Sequence, residues 1–305
     1  MILYTPNKNW FRDIRNLSTS WTMLKIMRGT LMIGIFATAI CTALYYFQLE
    51  PKLSSGIFSL LGIVLSILLV FRTNTAYDRW WEGRQQWGRL VNECRNLAVL
   101  LRGTLPDEDT SSKIYFARHI SNFCISLRDH LRDGVTLEAL DLTEHEKTEL
   151  SNKLHKPNHI SLWLYKRIHT IYKAGTFTES DLLNIKPHQQ ALLDILGACE
   201  RIKKTPIPFS YSVYIKLFIS LYGWMLPFGL FMDFGFYTIP LVMFILFAML
   251  GLELMAEEIE EPFGLDCNDL PTGTLAETIK KNVFEIMTEE HFKPAQEEAI
   301  YQKVF

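Results

Sequence analysis

The sequence predicts an all-α membrane protein, with four transmembrane helices per subunit and a helical cytosolic domain between two hairpins. Three observations carry that expectation. Apolar residues are bunched: Gly29 to Phe47 and Phe234 to Leu252 each run nineteen residues without a charge, enough at 1.5 Å per residue to approach the roughly 30 Å hydrocarbon core of a bilayer. The long polar stretch between the apolar blocks keeps helical spacing. No strand-like alternation, glycine-rich phosphate loop or repeat of solenoid period interrupts it.

Residues 1–28 form a polar, cytosolic N-terminal segment, and residues 29–71 the first transmembrane hairpin. Its second arm, Gly56 to Phe71, is uncharged but only sixteen residues long; its closeness to the first arm, across Gln48 to Ser55, argues for a hairpin. Residues 72–204 form the cytosolic domain, 205–256 the second hairpin and 257–305 a cytosolic C-terminal segment. The third span, Phe209 to Phe231, contains Lys216, a cation costly in hydrocarbon and therefore expected to face protein, water or the interface.

The formal net charge of −2 decides nothing, but the distribution of cations does. Lys8, Arg12, Arg15, Lys25 and Arg28 precede the first span. Arg72, Arg79, Arg84 and Arg89 follow the second, and Arg201, Lys203 and Lys204 precede the third. The outer loops carry only Lys52. Positive residues stay inside, so both termini are expected in the cytosol of a multi-pass protein of the inner cell membrane. A cleaved signal peptide is not expected, since a long polar stretch precedes the first span.

Within the cytosolic domain, Trp80, Trp81, Gly83, Trp87, Leu90, Val91, Cys94, Leu97, Ala98 and Leu101 fall largely at helical spacing. Ile114 to Leu131 and Leu182 to Ile202 show the same amphipathic rhythm. Asp107 to Ser112 has the composition of a loop with helix-capping residues. Cys41, Cys94, Cys124, Cys199 and Cys267 lack C-x-x-C spacing and look like reduced, structural thiols. His155 and His159 are four apart, as a helical metal pair would be, but Pro157 between them disfavours a helix, so a loop is expected there.

After the fourth span comes an acidic run, Glu253, Glu257, Glu258, Glu260 and Glu261, continued by Asp266 and Asp269. Pro262 stops the helix and Gly264 permits a tight turn. The bend formed around Glu258, Glu261, Asp266 and Asp269 has two readings, a cation site or a set of ion pairs with arginine. Acidic clusters near arginine are commonly structural, and the second reading is preferred.

In the second span, Ile63, Ile67 and Phe71 stand at i, i+4 and i+8 and form one apolar stripe. By spacing alone such a stripe packs against another helix. Polar residues follow at once, Arg72, Thr73, Asn74 and Thr75, and the helical pattern runs on through Trp81 without a stop.

Phe71 to Arg84, Phe-Arg-Thr-Asn-Thr-Ala-Tyr-Asp-Arg-Trp-Trp-Glu-Gly-Arg, resembles the bestrophin family, whose signature is an aromatic-rich helix followed by Arg-Trp-Trp. Ile207-Pro208-Phe209 and Glu261-Pro262-Phe263-Gly264, with Asp266, Asn268 and Asp269, match further family motifs in order. The resemblance implies a homopentameric channel in which Ile63, Ile67 and Phe71 stack as three rings around a narrow neck. A hydrophobic constriction gates by dewetting. The resemblance also implies a lower aperture, for which Ile185, in a loop before the next helix, is the candidate. The permeant species would be small monovalent ions, chloride as in animal members or sodium-type cations as in some bacterial ones. The expected partners are further copies of the chain, lipid and those ions, with no nucleic acid. Calcium is the one cofactor the family suggests, and it is not expected here, because Glu258 and Glu261 stand where calcium-activated relatives have amides. The end at Phe305, without the long tail of animal members, points to a bacterial homologue.

Other classes fit less well. A membrane-bound enzyme would need an acid/base set or paired metal ligands, which the sequence lacks. A transporter built on repeated hairpins would need hairpins that resemble each other. A membrane-anchored signalling or scaffold protein would tolerate polar substitution along the second span, whereas a channel would not.

Overall fold

The computed structural model describes residues 21–51, 53–132, 134–266 and 268–288. The N-terminal cations Lys8, Arg12 and Arg15, as well as Lys52 and Cys267, lie outside these residues. The described residues form nine α-helices, two short 3₁₀ turns and no strand. In chain order the helices are α1 (Trp21–Tyr46), α2 (Ser55–Thr104), α3 (Thr110–His130), α4 (Glu144–Ser151), α5 (Lys156–Lys173), α6 (Glu179–Lys204), α7 (Phe209–Phe234), α8 (Thr238–Glu260) and α9 (Thr272–Thr288). Three helical stretches are long and apolar enough to cross a membrane: Thr22–Tyr46, Ser55–Thr104 and Phe209–Glu260. The last is broken at Gly235–Tyr237, where Gly235 takes a φ of 53° and turns the chain from α7 into α8.

The chain divides into two compact units, one comprising residues through Trp80 with Pro206–Glu261, the other mainly Trp81–Thr205 and the chain from Pro262 onward. The first unit holds the apolar helices. Its core is Ala37 of α1, Phe58, Leu65 and Leu69 of α2, Ile215, Ile219, Tyr222, Leu226 and Leu230 of α7, and Val242, Leu246 and Met249 of α8. Small residues let these helices approach closely, as is usual where lipid removes the hydrophobic drive between spans. A methyl group on Gly229 would overlap the Phe58 ring, and one on Gly62 would meet the Tyr222 hydroxyl at 2.7 Å. That hydroxyl donates to the Phe58 carbonyl at 3.1 Å. Helix α1 ends in a left-handed cap: Gln48 has φ 51°, its N–H donates to Tyr45 O, and Leu49 N–H donates to Leu44 O. The outer faces are greasy, with Leu31, Met32, Ile35, Leu60 and Phe244 all exposed, an amount of apolar surface that needs lipid or a partner chain to cover it.

The second unit packs α3, α5, α6, α9 and the rest of α2. Asp109 caps α3 by accepting the Ser112 N–H, and capping boxes at Thr143/Glu146 and Thr178/Asp181 start α4 and α6. Cys94 and Cys124 lie buried with sulfurs 3.5 Å apart, and Cys41, Cys94, Cys124 and Cys199 are free thiols.

Candidate functional site

At 100° per residue, Leu65, Leu69, Arg72 and Ala76 of α2 all lie within about 40° of the line through Phe58, and all five are buried. Ile63, Ile67 and Phe71 fall about 140°, 180° and 220° from that line. They occupy the opposite side of the helix, 58%, 52% and 60% exposed. The stripe read from the sequence therefore lies outside the core formed by the described residues.

Directly beneath it, Arg72 turns into the unit and is fully buried. Its Nη2 meets Glu260 Oε2 at 2.6 Å and its Nε lies 3.6 Å from Glu253 Oε2. Glu260 is shared further: its other carboxylate oxygen accepts the Ile207 N–H at 2.8 Å, and its backbone carbonyl accepts from Arg79 Nε at 3.0 Å. One glutamate thus ties α2 just below the stripe to the end of α8 and the entry of α7. Lys216 pairs with Glu257 at 2.8 Å, so this intramembrane cation has a protein partner.

The acidic residues picked out by motif are placed differently. Glu258 accepts from the Thr22 hydroxyl of α1 at 2.5 Å, and Glu261 is exposed as the residue capping α8. In the other unit, buried Asp269 accepts the Asp266 N–H at 2.7 Å, and the Leu270 N–H closes the turn onto Pro262 O at 2.8 Å. Phe263 O accepts from Arg132 Nε at 3.2 Å. Burial and the charge of Arg128 lower the Arg132 pKa, against the attraction of Asp129 and Asp269. A calcium ion takes six to eight oxygens. Here one Glu258 oxygen takes the Thr22 hydroxyl, one Asp269 oxygen takes the Asp266 N–H, and the Phe263 carbonyl takes the Arg132 guanidinium. The arginine partners of the acidic run are Glu253 and Glu260, which motif matching passed over. Glu253, Glu257 and Glu260 stand at i, i+4 and i+7, and that spacing was the available signal.

Two expectations in the second unit are corrected. Ile185 lies inside α6, not in a loop: the Thr178/Asp181 capping box starts the helix upstream, and Pro187 is carried within it. Its side chain is 1% exposed, so in the isolated chain it faces the subunit interior, unlike the stripe on α2. Pro157 does not exclude a helix between His155 and His159. It sits in the first turn of α5, where no backbone donor is needed, and His155 is the N-cap, its Nδ1 accepting the Asn158 N–H at 3.3 Å.

His155 and His159 address different carboxylates, Glu200 and Glu149, each at 2.8 Å. His130 joins His155 on the same Glu200 oxygen at 2.6 Å. These three donor atoms lie within 4.8 Å of one another. Because the His155 Nδ1 lone pair is spent on a backbone N–H, its Nε2 carries the proton, and the group forms a hydrogen-bonded clamp. Burial pushes the Glu200 carboxyl up, but the bonds from the two histidines outweigh it and hold the pKa below the ordinary carboxylate value.

A family model described as Bacterial/Fungal Bestrophin protein matches residues 1–285. The voltage-dependent anion channel-forming protein of Nostoc sp. (strain PCC 7120) is 34% identical over 270 residues, covering 84% of this chain and 88% of that protein. YneE of Escherichia coli (strain K12), which carries the same description, is 31% identical over 293 residues, 94% of this chain and 95% of that one. Among solved structures, a bacterial bestrophin homolog from Klebsiella pneumoniae matches with a TM-score of 0.82 at 31% identity, over 87% of this chain and 99% of that chain.

Proposed function

Because the chain belongs to the bacterial and fungal bestrophin family, a family of channels and not of enzymes, we propose that it assembles as a homopentameric channel for small monovalent ions. Each subunit would cross the inner membrane four times, through α1, the first part of α2, α7 and α8, with both termini and the polar helical unit in the cytosol. The neck is the stripe of Ile63, Ile67 and Phe71. The observation that carries this reading is their exposure on the side of α2 opposite the buried core face. Three large apolar side chains bare to the outside, on a helix whose other face is fully packed, are what a ring of copies around an axis would enclose.

The neck works by excluding water. An ion crossing a narrow apolar ring must shed hydration that isoleucine and phenylalanine cannot replace, so small changes in ring diameter switch conduction. Arg72 supports this mechanically, since the buried pairs to Glu253 and Glu260 fix α2 one residue past Phe71. A lower aperture at Ile185 would require this buried side chain to turn outward. No calcium is assigned to the bend around Glu258, Glu261, Asp266 and Asp269.

The printed names of relatives favour anions for those proteins, which makes an anion channel the second reading of the permeant class. Reconstitution into planar bilayers with asymmetric sodium chloride tests both. Conduction with a reversal potential off zero supports the channel, and its sign assigns the ion. A protein that is pentameric and folded yet passes no current overturns the proposal.

A further inference from the structure

The geometry points to Asp78 as the residue that sets the sign of the permeant ion, by placing a ring of carboxylates just inside the neck and favouring cations. The inference rests on the neck reading above. The exposed stripe of α2 does not end at Phe71. On the same helical count, Asn74 and Asp78 lie about 160° and 200° from the Phe58 line, between the directions of Ile63 and Phe71. Both side chains are exposed. Asp78 is seven residues past Phe71, about 10 Å further along the helix.

What makes this face acidic is the way the fold sorts the charges. As a sequence, Phe71 to Trp80 holds two arginines and one aspartate and looks basic. In the structure, Arg72 is fully buried between Glu253 and Glu260, and Arg79 donates its Nε to the Glu260 carbonyl. The exposed side chains of this segment are Phe71, Asn74, Thr75, Tyr77 and Asp78, and only the last of them bears a carboxyl group. Arg72 pairs with Glu253 and Glu260.

The neck itself is neutral and has no means of choosing a sign. A ring of like charges in a confined mouth with low-dielectric walls raises the local concentration of counter-ions and depletes co-ions. At about 10 Å from the last apolar ring, the field of Asp78 reaches the constriction at 0.1 M salt, where the Debye length is about 10 Å, and is largely screened at 1 M, where it is about 3 Å.

The test is the sodium-to-chloride permeability ratio, from reversal potentials in planar bilayers, for the parent, Asp78→Asn, Asp78→Lys and Asp78→Glu, with Ile67→Ala as a separate probe of the neck. The parent is expected to favour sodium. Asp78→Asn should lower the ratio severalfold, Asp78→Lys should reverse the sign of the potential, and Asp78→Glu should keep the parent value. The differences should shrink as salt is raised. Asp78 is exposed, so all three variants should elute as the parent oligomer. A chloride-preferring parent, or an Asp78→Asn channel with an unchanged ratio, overturns the assignment. If Ile67→Ala still raises conductance in that case, the neck reading survives alone; if it does not, both have failed.

Discussion

Replacing Arg72 by methionine should be among the most damaging single changes in the apolar unit. The guanidinium is 0% exposed, and the carboxylates it serves, Glu253 and Glu260, have side chains only 3% and 12% exposed. Methionine fills much of the volume but leaves two buried carboxylates without a counter-charge. Removing one partner of a buried pair costs about 3–5 kcal/mol, because the remaining charge keeps its desolvation penalty. For a domain of this size that corresponds to a fall in apparent melting temperature on the order of 10 °C. The measurement is the midpoint of heat-induced loss of the oligomer peak in detergent, by fluorescence-detected size exclusion. A triple variant, Arg72→Met with Glu253→Gln and Glu260→Gln, should recover part of the loss, since it removes the two uncompensated buried charges and leaves only neutral amides to desolvate. An Arg72→Met protein that melts within about 2 °C of the parent would refute the reasoning.

Gly229→Ala should destabilise the same unit by about 1–3 kcal/mol through overpacking against the Phe58 ring, and pairing it with Phe58→Leu should restore part of the midpoint. In the other unit, Glu200→Gln tests the histidine clamp. The Glu200 carboxyl is held below its ordinary value, so its stabilising contribution is complete above the unfolded carboxylate pKa of about 4.3 and is lost as pH falls through the depressed folded value. The gap in melting temperature between parent and Glu200→Gln should therefore narrow as pH drops below about 4; a gap that is constant or widens there contradicts the clamp. Chelating calcium should leave single-channel conductance unchanged, and a conductance that collapses in chelator and returns with calcium would reinstate a calcium site at the acidic bend.

Much of this architecture was legible because the bilayer imposes coarse rules. Charge-free runs located the apolar helices, and a missing stop signal after Phe71 was enough to expect a helix continuing from the span, which the structure gives as Ser55–Thr104. The stripe was equally legible, since a period of 3.6 residues separates Ile63, Ile67 and Phe71 from Leu65, Leu69 and Arg72 whatever the surroundings. Its exposure was not, because spacing alone fits an internal contact just as well. The acidic run was misapportioned for a different reason. Motif matching favoured Glu258 and Glu261 near the proline, whereas helical phase selects Glu253, Glu257 and Glu260 as the residues facing Arg72 and Lys216. Pro157 stands in the first turn of a helix it was expected to disfavour, and Ile185, expected in a loop, lies inside α6, which carries Pro187 within it. The clamp on Glu200 was out of reach: His130 lies seventy residues away along the chain, and no local pattern announces a partner at that distance.

The central claim is that Ile67 lines the path of the ion. The most direct measurement is the current through an Ile67→Cys channel before and after a membrane-impermeant, positively charged methanethiosulfonate reagent. The parent, with its five native cysteines, serves as control; among the described residues Cys41, Cys94, Cys124 and Cys199 are buried. A current that drops sharply on modification, with no change in the parent, is the predicted result. An Ile67→Cys channel that mass spectrometry shows to be fully modified, yet which conducts as before, would place that side chain away from the pore and contradict the account.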